Sequence, residues 1–209
     1  MIKRLLISFL LLGGVSSTFS QALLNGGFEN WSSTSFENPN LYQGSNPEAL
    51  LKIGQNNCSK VTDKQNGNFA IRLETKASAN DTVFGYFVNG DPGKGKGGAP
   101  YSQKPTTLNG YYKCDIKTGD TAIFLVIFKS AGVIISQDVY NFTGAKTAYT
   151  AFTLTLSALS VTPDTVIIGS ASSNPFTKQL FPGSFLQLDN LTFGGTGITQ
   201  GVPNGDFEN

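Results

Sequence analysis

Carboxylates, aromatic rings and two thiols are the residues of this chain best equipped for chemistry, because histidine is absent. Without imidazole there is no Ser-His-Asp or Cys-His catalysis, no His-ligated zinc and no His-held haem. Glycoside hydrolysis would need two carboxylates flanking a sugar, about 5–5.5 Å apart for retention or about 6.5–9.5 Å for inversion. Several acids stand in turn sequences (Asp63, Asp81, Asp91, Asp120, Asp164), where such residues make Asx turns or are solvated. Glu74 and Asp189 are the candidates on strand patterns, and neither has an obvious partner in sequence.

Glu29 and Asp189 support another use. They lie in the first and last strand segments, and a carboxylate from each could help build an oxygen-rich calcium site that pins the termini together. Calcium takes about 6–8 oxygens, so backbone carbonyls and loop oxygens would have to complete it. Sugars stack their apolar faces on aromatic rings while their hydroxyls seek polar partners. Phe124, Phe128, Phe152 and Phe193 fall on apolar strand patterns and read as core. Trp31 and Tyr101, in irregular segments, are the candidate sugar-binding rings.

Gly93-Lys94-Gly95-Lys96-Gly97-Gly98 fits the spacing of a dinucleotide loop, but Ala99-Pro100-Tyr101 follows it where a helix must start. A flexible loop is the simpler reading. The formal charge of +1 leaves no electrostatic footprint for nucleic acid. Cys58 and Cys114 are a candidate disulfide; bridging residues 56 positions apart would contribute roughly 4 kcal/mol. Two separately buried thiols are the alternative.

The elements that would position these groups read as strands. Phe69–Glu74, Val83–Val88, Tyr111–Ile116, Val133–Ile135, Val139–Phe142, Phe152–Leu156, Val166–Ile168 and Phe185–Phe193 are alternating or β-branched. Ala122–Phe128 is unbroken and apolar, the pattern of a strand covered on both faces. Asn-Gly, Pro-Gly and Thr-Gly turns separate them. Only Pro47–Ile53 reads as a short helix. The prediction is an all-β, two-sheet antiparallel β-sandwich of jelly-roll type, with a β-barrel as the alternative.

Lys3 and Arg4, the apolar run Leu5–Val15 and the small residues Ser16–Ser20 form the pattern of a secretory signal over residues 1–20. No later segment approaches the length of a membrane span. The expected location is therefore secreted or cell-surface. Asn25-Gly26-Gly27-Phe28-Glu29-Asn30 recurs as Asn204-Gly205-Asp206-Phe207-Glu208-Asn209. This suggests a sandwich domain over 21–193, a Gly-rich linker over 194–203, and the start of a second repeat at 204–209, with further domains on the same chain.

Leu23–Trp31 resembles the opening strand of jelly-roll carbohydrate-binding modules. Gly98–Tyr101, Lys104-Pro105, Leu108–Lys113, Asp120, Ser172-Ser173 and Gly183–Leu191 resemble, in order, a carbohydrate-metabolism domain of exported bacterial proteins. The resemblance implies a jelly roll, glycan-related work outside the cytoplasm and no established catalytic mechanism. It also implies structural calcium at Glu29 and Asp189. Lys104 stands where the family often has Arg, and Cys114 where it often has an aromatic. The reading is a glycan- or polysaccharide-binding module without its own catalysis. The alternatives are a glycoside hydrolase-like enzyme using a carboxylate pair and a non-binding adhesive or spacer domain.

Overall fold

The computed structural model describes residues 28, 29, 33, 35–177 and 179–209. The proposed signal segment and Trp31 lie outside the described residues. The chain divides into two compact units, Met1–Ser35 and Phe36–Asn209. In the first, Phe28 and Glu29 are exposed. The second contains the secondary structure described below.

Among the described residues, two facing sheets are built from the short strand Ala99–Pro100 and β1 (Gln43–Gly44), β2 (Cys58–Val61), β3 (Ala70–Glu74), β4 (Tyr86–Val88), β5 (Thr107–Asp115), β6 (Ala122–Ser130), β7 (Val133–Phe142), β8 (Ala145–Thr155), β9 (Thr165–Ala171) and β10 (Phe185–Gly194). The first sheet runs β1-β4-β9-β6-β7, with Ala99–Pro100 also pairing β9; the second runs β8-β5-β10-β3-β2. Every pairing is antiparallel. From β5 onward the chain crosses repeatedly between sheets, which makes this a jelly-roll β-sandwich. The one helix among the described residues, α1 (Asn46–Ile53), has Pro47 in its first turn and ends on Gly54, whose φ of 67° suits a left-handed cap.

Alternation puts Phe87, Phe124, Val126, Phe128, Val166 and Ile168 of the first sheet against Ile71, Leu73, Leu108, Leu186 and Leu188 of the second. The run Ala122–Phe128 is apolar throughout because its other face is covered too. Leu125 and Ile127 form a second apolar cluster with Ile167 on the outside of the first sheet. The hairpin Gly90–Asp91/Lys96–Gly97 approaches that side; a Cβ on Gly98 would meet Thr165 and Ile167 side chains and the Val166 carbonyl.

The cysteine pairing is corrected. Both thiols are free and buried. Register places Cys58 beside Leu73, Leu73 beside Leu186, and Leu186 beside Cys114. Three strand spacings, about 14 Å, therefore separate them, twice the reach of a disulfide.

Candidate functional site

Two places on the outside of the sandwich gather the chemistry. The first is the outer face of the β1-β4-β9-β6-β7 sheet. Strand alternation turns Tyr86 and Val88 outward, and cross-strand register sets Tyr86 beside Ala171 and Ile123, and Val88 beside Gly169 and Leu125. Gly169 leaves a low floor between larger neighbours. Phe84, Pro92, Pro175 and Phe176 raise the walls of a cleft of about 230 Å³. The Phe84 and Tyr86 rings stand 5.6 Å apart, tilted by 45°. Phe176 is 77% exposed, unusual for so large an apolar side chain.

A second hollow of about 300 Å³ begins just past the end of β4, where Gln43, Asn89, Asp91 and Lys96 bring polar side chains to its lining. Gln43 lies opposite Val88 and is exposed. Asn89 is committed to the scaffold: its Nδ2 donates to the Val166 carbonyl and its Oδ1 accepts from the Ile168 N–H. The Lys94 N–H donates to Asp91, which holds that carboxyl below its usual range. Lys129, 6% exposed at the end of β6, donates to the Gly95 and Gly97 carbonyls at 3.0 and 2.7 Å. The glycine-rich loop is thus a hairpin latched by a buried ammonium, and it has no helix behind it.

The second place is built around Asp189. A bulge in β10 puts Asn190 at φ 54°, a conformation Asn tolerates better than most residues. The bulge leaves Asp189 on the outer face while Leu191 and Phe193 return to the core. The loop after β2 then closes over Asp189. Its Oδ2 accepts from the Gln65 and Asn66 N–H groups at 2.7 and 3.0 Å, while its Oδ1 is buried with no partner. Burial pushes its carboxyl pKa up, partly opposed by those N–H bonds, with the neighbouring Glu208 charge adding to the rise.

Glu208 has the opposite environment. It accepts from the Phe69 and Asn68 N–H groups at 3.0 and 2.7 Å and from the Asn68 side-chain amide at 2.9 Å, which holds it below the usual carboxylate range. A small cavity of about 60 Å³ lies between, lined by Asn66, Gly67, Asp189, Asn190, Asp206 and Glu208. Gly67 is obligatory there: its φ is 66° and a Cβ would collide with the Glu208 carboxylate. Among the described residues no group of three carboxylate or thiol side chains is arranged to hold a metal by itself.

Tyr101 corrects the sequence expectation. It is 1% exposed, with its ring centroid 4.8 Å from Phe193 and 5.7 Å from Phe128, so it offers no face to a sugar. Its segment is irregular, yet Ala99–Pro100 pairs with β9 and carries the ring inward. Of the glycosidase candidates, Glu74 lies opposite Phe185, four residues along β10 from Asp189. That is about 13 Å at strand rise, too far for either hydrolytic geometry. Glu74 instead pairs with Arg72 at 3.3 Å. Glu29 is exposed in the first unit.

Sequence reasoning passed over Glu208, Phe84, Phe176 and the latch at Lys129. Only the alternation Phe84-x-Tyr86-x-Val88 and the repeated hexapeptide carried a signal for them. Residues 194–203 are held rather than loose: Gln103 Oε1 accepts from the Thr199 and Gln200 N–H groups, and the Gln200 side chain bonds Ser102 and Pro100.

No protein-family model matches the chain, and no curated protein matches it. Solved structures resemble it in part. An enzymatically active domain of bacteriophage CBA120 tailspike protein 4 superposes with a TM-score of 0.49 at 12% identity over 76% of this chain, which spans 20% of that structure's length. A family 16 carbohydrate-binding module gives a TM-score of 0.40 at 12% identity, covering 66% of this chain and 86% of the module. The carbohydrate-binding module TmCBM61, solved with β-1,4-galactotriose, gives 0.40 at 8% identity over 73% of this chain and 87% of its own.

Proposed function

We propose that this chain is an exported carbohydrate-binding domain that receives a neutral sugar on the outer face of its first sheet. The observation that carries the reading is an aromatic-walled cleft over β4 with, just past the end of that strand, a hollow lined in part by the polar side chains of Gln43, Asn89, Asp91 and Lys96. A pyranose has apolar C–H faces and a rim of hydroxyls, so it needs both kinds of surface side by side. Tyr86, Phe84 and Phe176 supply rings; Gln43, Asp91 and Lys96 supply donors and acceptors at one end. These polar groups include neither histidine nor arginine, which suits a ligand without phosphate or carboxylate. Sheet pairing fixes Tyr86 and Val88 in advance, and the Lys129 latch fixes the hairpin that carries Asp91 and Lys96, which lowers the ordering cost of binding.

The same proposal places structural calcium at the Asp189 loop. The fit rests on the buried, unpartnered Asp189 Oδ1 and on the cavity that Asp189 lines together with Asn66, Asp206 and Glu208. An ion there would neutralise a buried carboxylate and tie the loop after β2 to β10; backbone carbonyls and water would complete its shell. Export rests on the signal pattern of residues 1–20.

Isothermal titration against neutral β-1,4-linked galacto-, gluco- and xylo-oligosaccharides tests the sugar site. At least one series should bind, and Tyr86→Ala should weaken it about two- to tenfold, since an aromatic contact is worth about 0.5–1.5 kcal/mol. Folded protein that binds none of them at millimolar concentration, with calcium present, would overturn the assignment.

A further inference from the structure

We propose that Leu41 is a specificity-determining residue: a strained turn holds it as the apolar wall of the hollow beyond β4, so the ligand is a neutral oligosaccharide with one unit in the aromatic cleft and the next against Leu41. The inference rests on the sugar-binding reading above and adds to it the size of the ligand and the residue that reads it.

The backbone supplies the first observation. The Tyr42 N–H donates to the Pro39 carbonyl at 3.0 Å, closing a turn over Pro39–Tyr42 with Leu41 at its third position. Leu41 has φ 75°. Turns that need a positive φ at that position take Gly or Asn there, and a bulky side chain is an outlier. Asn40, which would tolerate the conformation better, stands one place too early. The other non-glycine residues with positive φ in Phe36–Asn209 are easier to understand. Asn190 and Asn204 are of the tolerant type, Ala131 carries only a methyl group, and Phe207 buries its ring to 3% exposure. Leu41 buries little in return, being 66% exposed.

The turn is fastened on both sides, so it cannot relax. The Asn40 N–H donates to the Asn209 carbonyl at 3.0 Å, and the Asn40 carbonyl accepts from Asn204 Nδ2 at 3.2 Å. Tyr42 is buried, with its hydroxyl donating to the Pro203 carbonyl at 2.7 Å. Strain that the surroundings over-determine points to a use for the residue that bears it.

The second observation is where the side chain stands. Leu41 lines the hollow, where the other side chains from the described residues are Gln43, Asn89, Asp91 and Lys96. It is therefore the one wholly apolar side chain in that lining. A pyranose needs an apolar contact as well as partners for its hydroxyls, and Leu41 gives the hollow the part it would otherwise lack. The cleft has its own apolar contact in Phe84 and Tyr86. The two recesses adjoin: Val88 and Pro92 line the cleft, while their chain neighbours Asn89 and Asp91 line the hollow. Each recess holds one sugar, and a linked pair spans both.

The test pairs isothermal titration with thermal unfolding in the full chain, using the neutral β-1,4-linked oligosaccharides named above. Leu41→Gly removes the wall and relieves the backbone. It should weaken binding about three- to tenfold, while Tm stays unchanged or rises by up to about 4 °C. Leu41→Ala keeps the strained backbone, so it should lose similar affinity and gain no Tm. Combined with Tyr86→Ala, the affinity losses should multiply, because the two residues sit under different units of one ligand. Binding that Tyr86→Ala weakens and Leu41→Gly leaves unchanged would overturn this inference alone. So would a Leu41→Gly chain that loses Tm and keeps its affinity, the mark of a purely structural leucine. Folded protein that binds no oligosaccharide, or binds one indifferently to Tyr86→Ala, would overturn the sugar site and this inference together.

Discussion

The two outer faces of the sandwich differ in how they are finished. On the first sheet, β6 turns Ile123, Leu125 and Ile127 outward, and a latched hairpin with its neighbours covers part of that apolar surface and leaves the rest as an aromatic cleft. On the second sheet the outward residues are polar and engage one another. Lys113 meets Asp63 at 2.6 Å, the Tyr149 hydroxyl donates to the Asp63 carbonyl, and Gln187 donates to both that carbonyl and the Tyr149 oxygen. Among the described residues on that face, Asp189 Oδ1 is a buried side-chain oxygen without a partner. A face with unspent apolar surface suits a ligand with an apolar side; a face with one unanswered carboxylate oxygen suits a cation. The same pleat yields both because alternation decides only which residues point out, and the covering loops decide what remains available.

The sharpest way to break this comparison is to truncate matched positions. Ile127→Ala, at 0% exposure under the first face, should cost about 2–4 kcal/mol by denaturant unfolding, whereas Thr153→Ala on the second face should stay within about 0.5 kcal/mol. Equal losses would mean that the first face is not a true second core.

A smaller effect should separate the two carboxylates of the second face by sign. The Asp189 pKa is raised by folding, so the stability it favours is complete below the unfolded value near 3.9 and is lost as pH rises through the folded value. In a chelator, Asp189→Asn should therefore gain Tm relative to the unmodified chain as pH climbs above about 4. Added calcium should restore the unmodified chain and leave the variant unmoved. Glu208 is lowered instead, so its contribution is present above the unfolded value and lost as pH falls through the folded one; Glu208→Gln should flatten the acid limb. Parallel pH profiles would remove the distinction drawn between these neighbours.

The smallest expected effect is none. A thiol reductant should leave Tm unchanged, because Cys58 and Cys114 lie three strands apart in the row they share. A fall of several degrees would require the second sheet to be rearranged.

Much of the fold was legible in the chain. The strand runs from Phe69 onward, the short helix after Pro47 and the two-sided burial of Ala122–Phe128 follow from local periodicity, which is set by residues near in sequence. Val133–Ile135 and Val139–Phe142 read as separate pieces but are one strand, β7. It is an edge strand, and its polar Ser136, Gln137 and Asp138 cost little there. The short strands β1 and β2 left no pattern, being held by neighbours rather than by their own residues. The site was less legible. Tyr101 looked available because it lacks strand context, and Phe84 and Phe176 looked ordinary because exposure is a tertiary property.

By itself the sequence determined the class of fold, the exclusion of imidazole chemistry and the repetition of a motif, since composition, periodicity and identity are properties of a linear string. Only the tertiary structure decided which aromatic rings face outward, that the two thiols stand about 14 Å apart, and that Glu208 borders Asp189. Those are questions of register and of long-range contact. A bulge of one residue at Asn190 is enough to fix which side of the sheet each later residue of β10 will face.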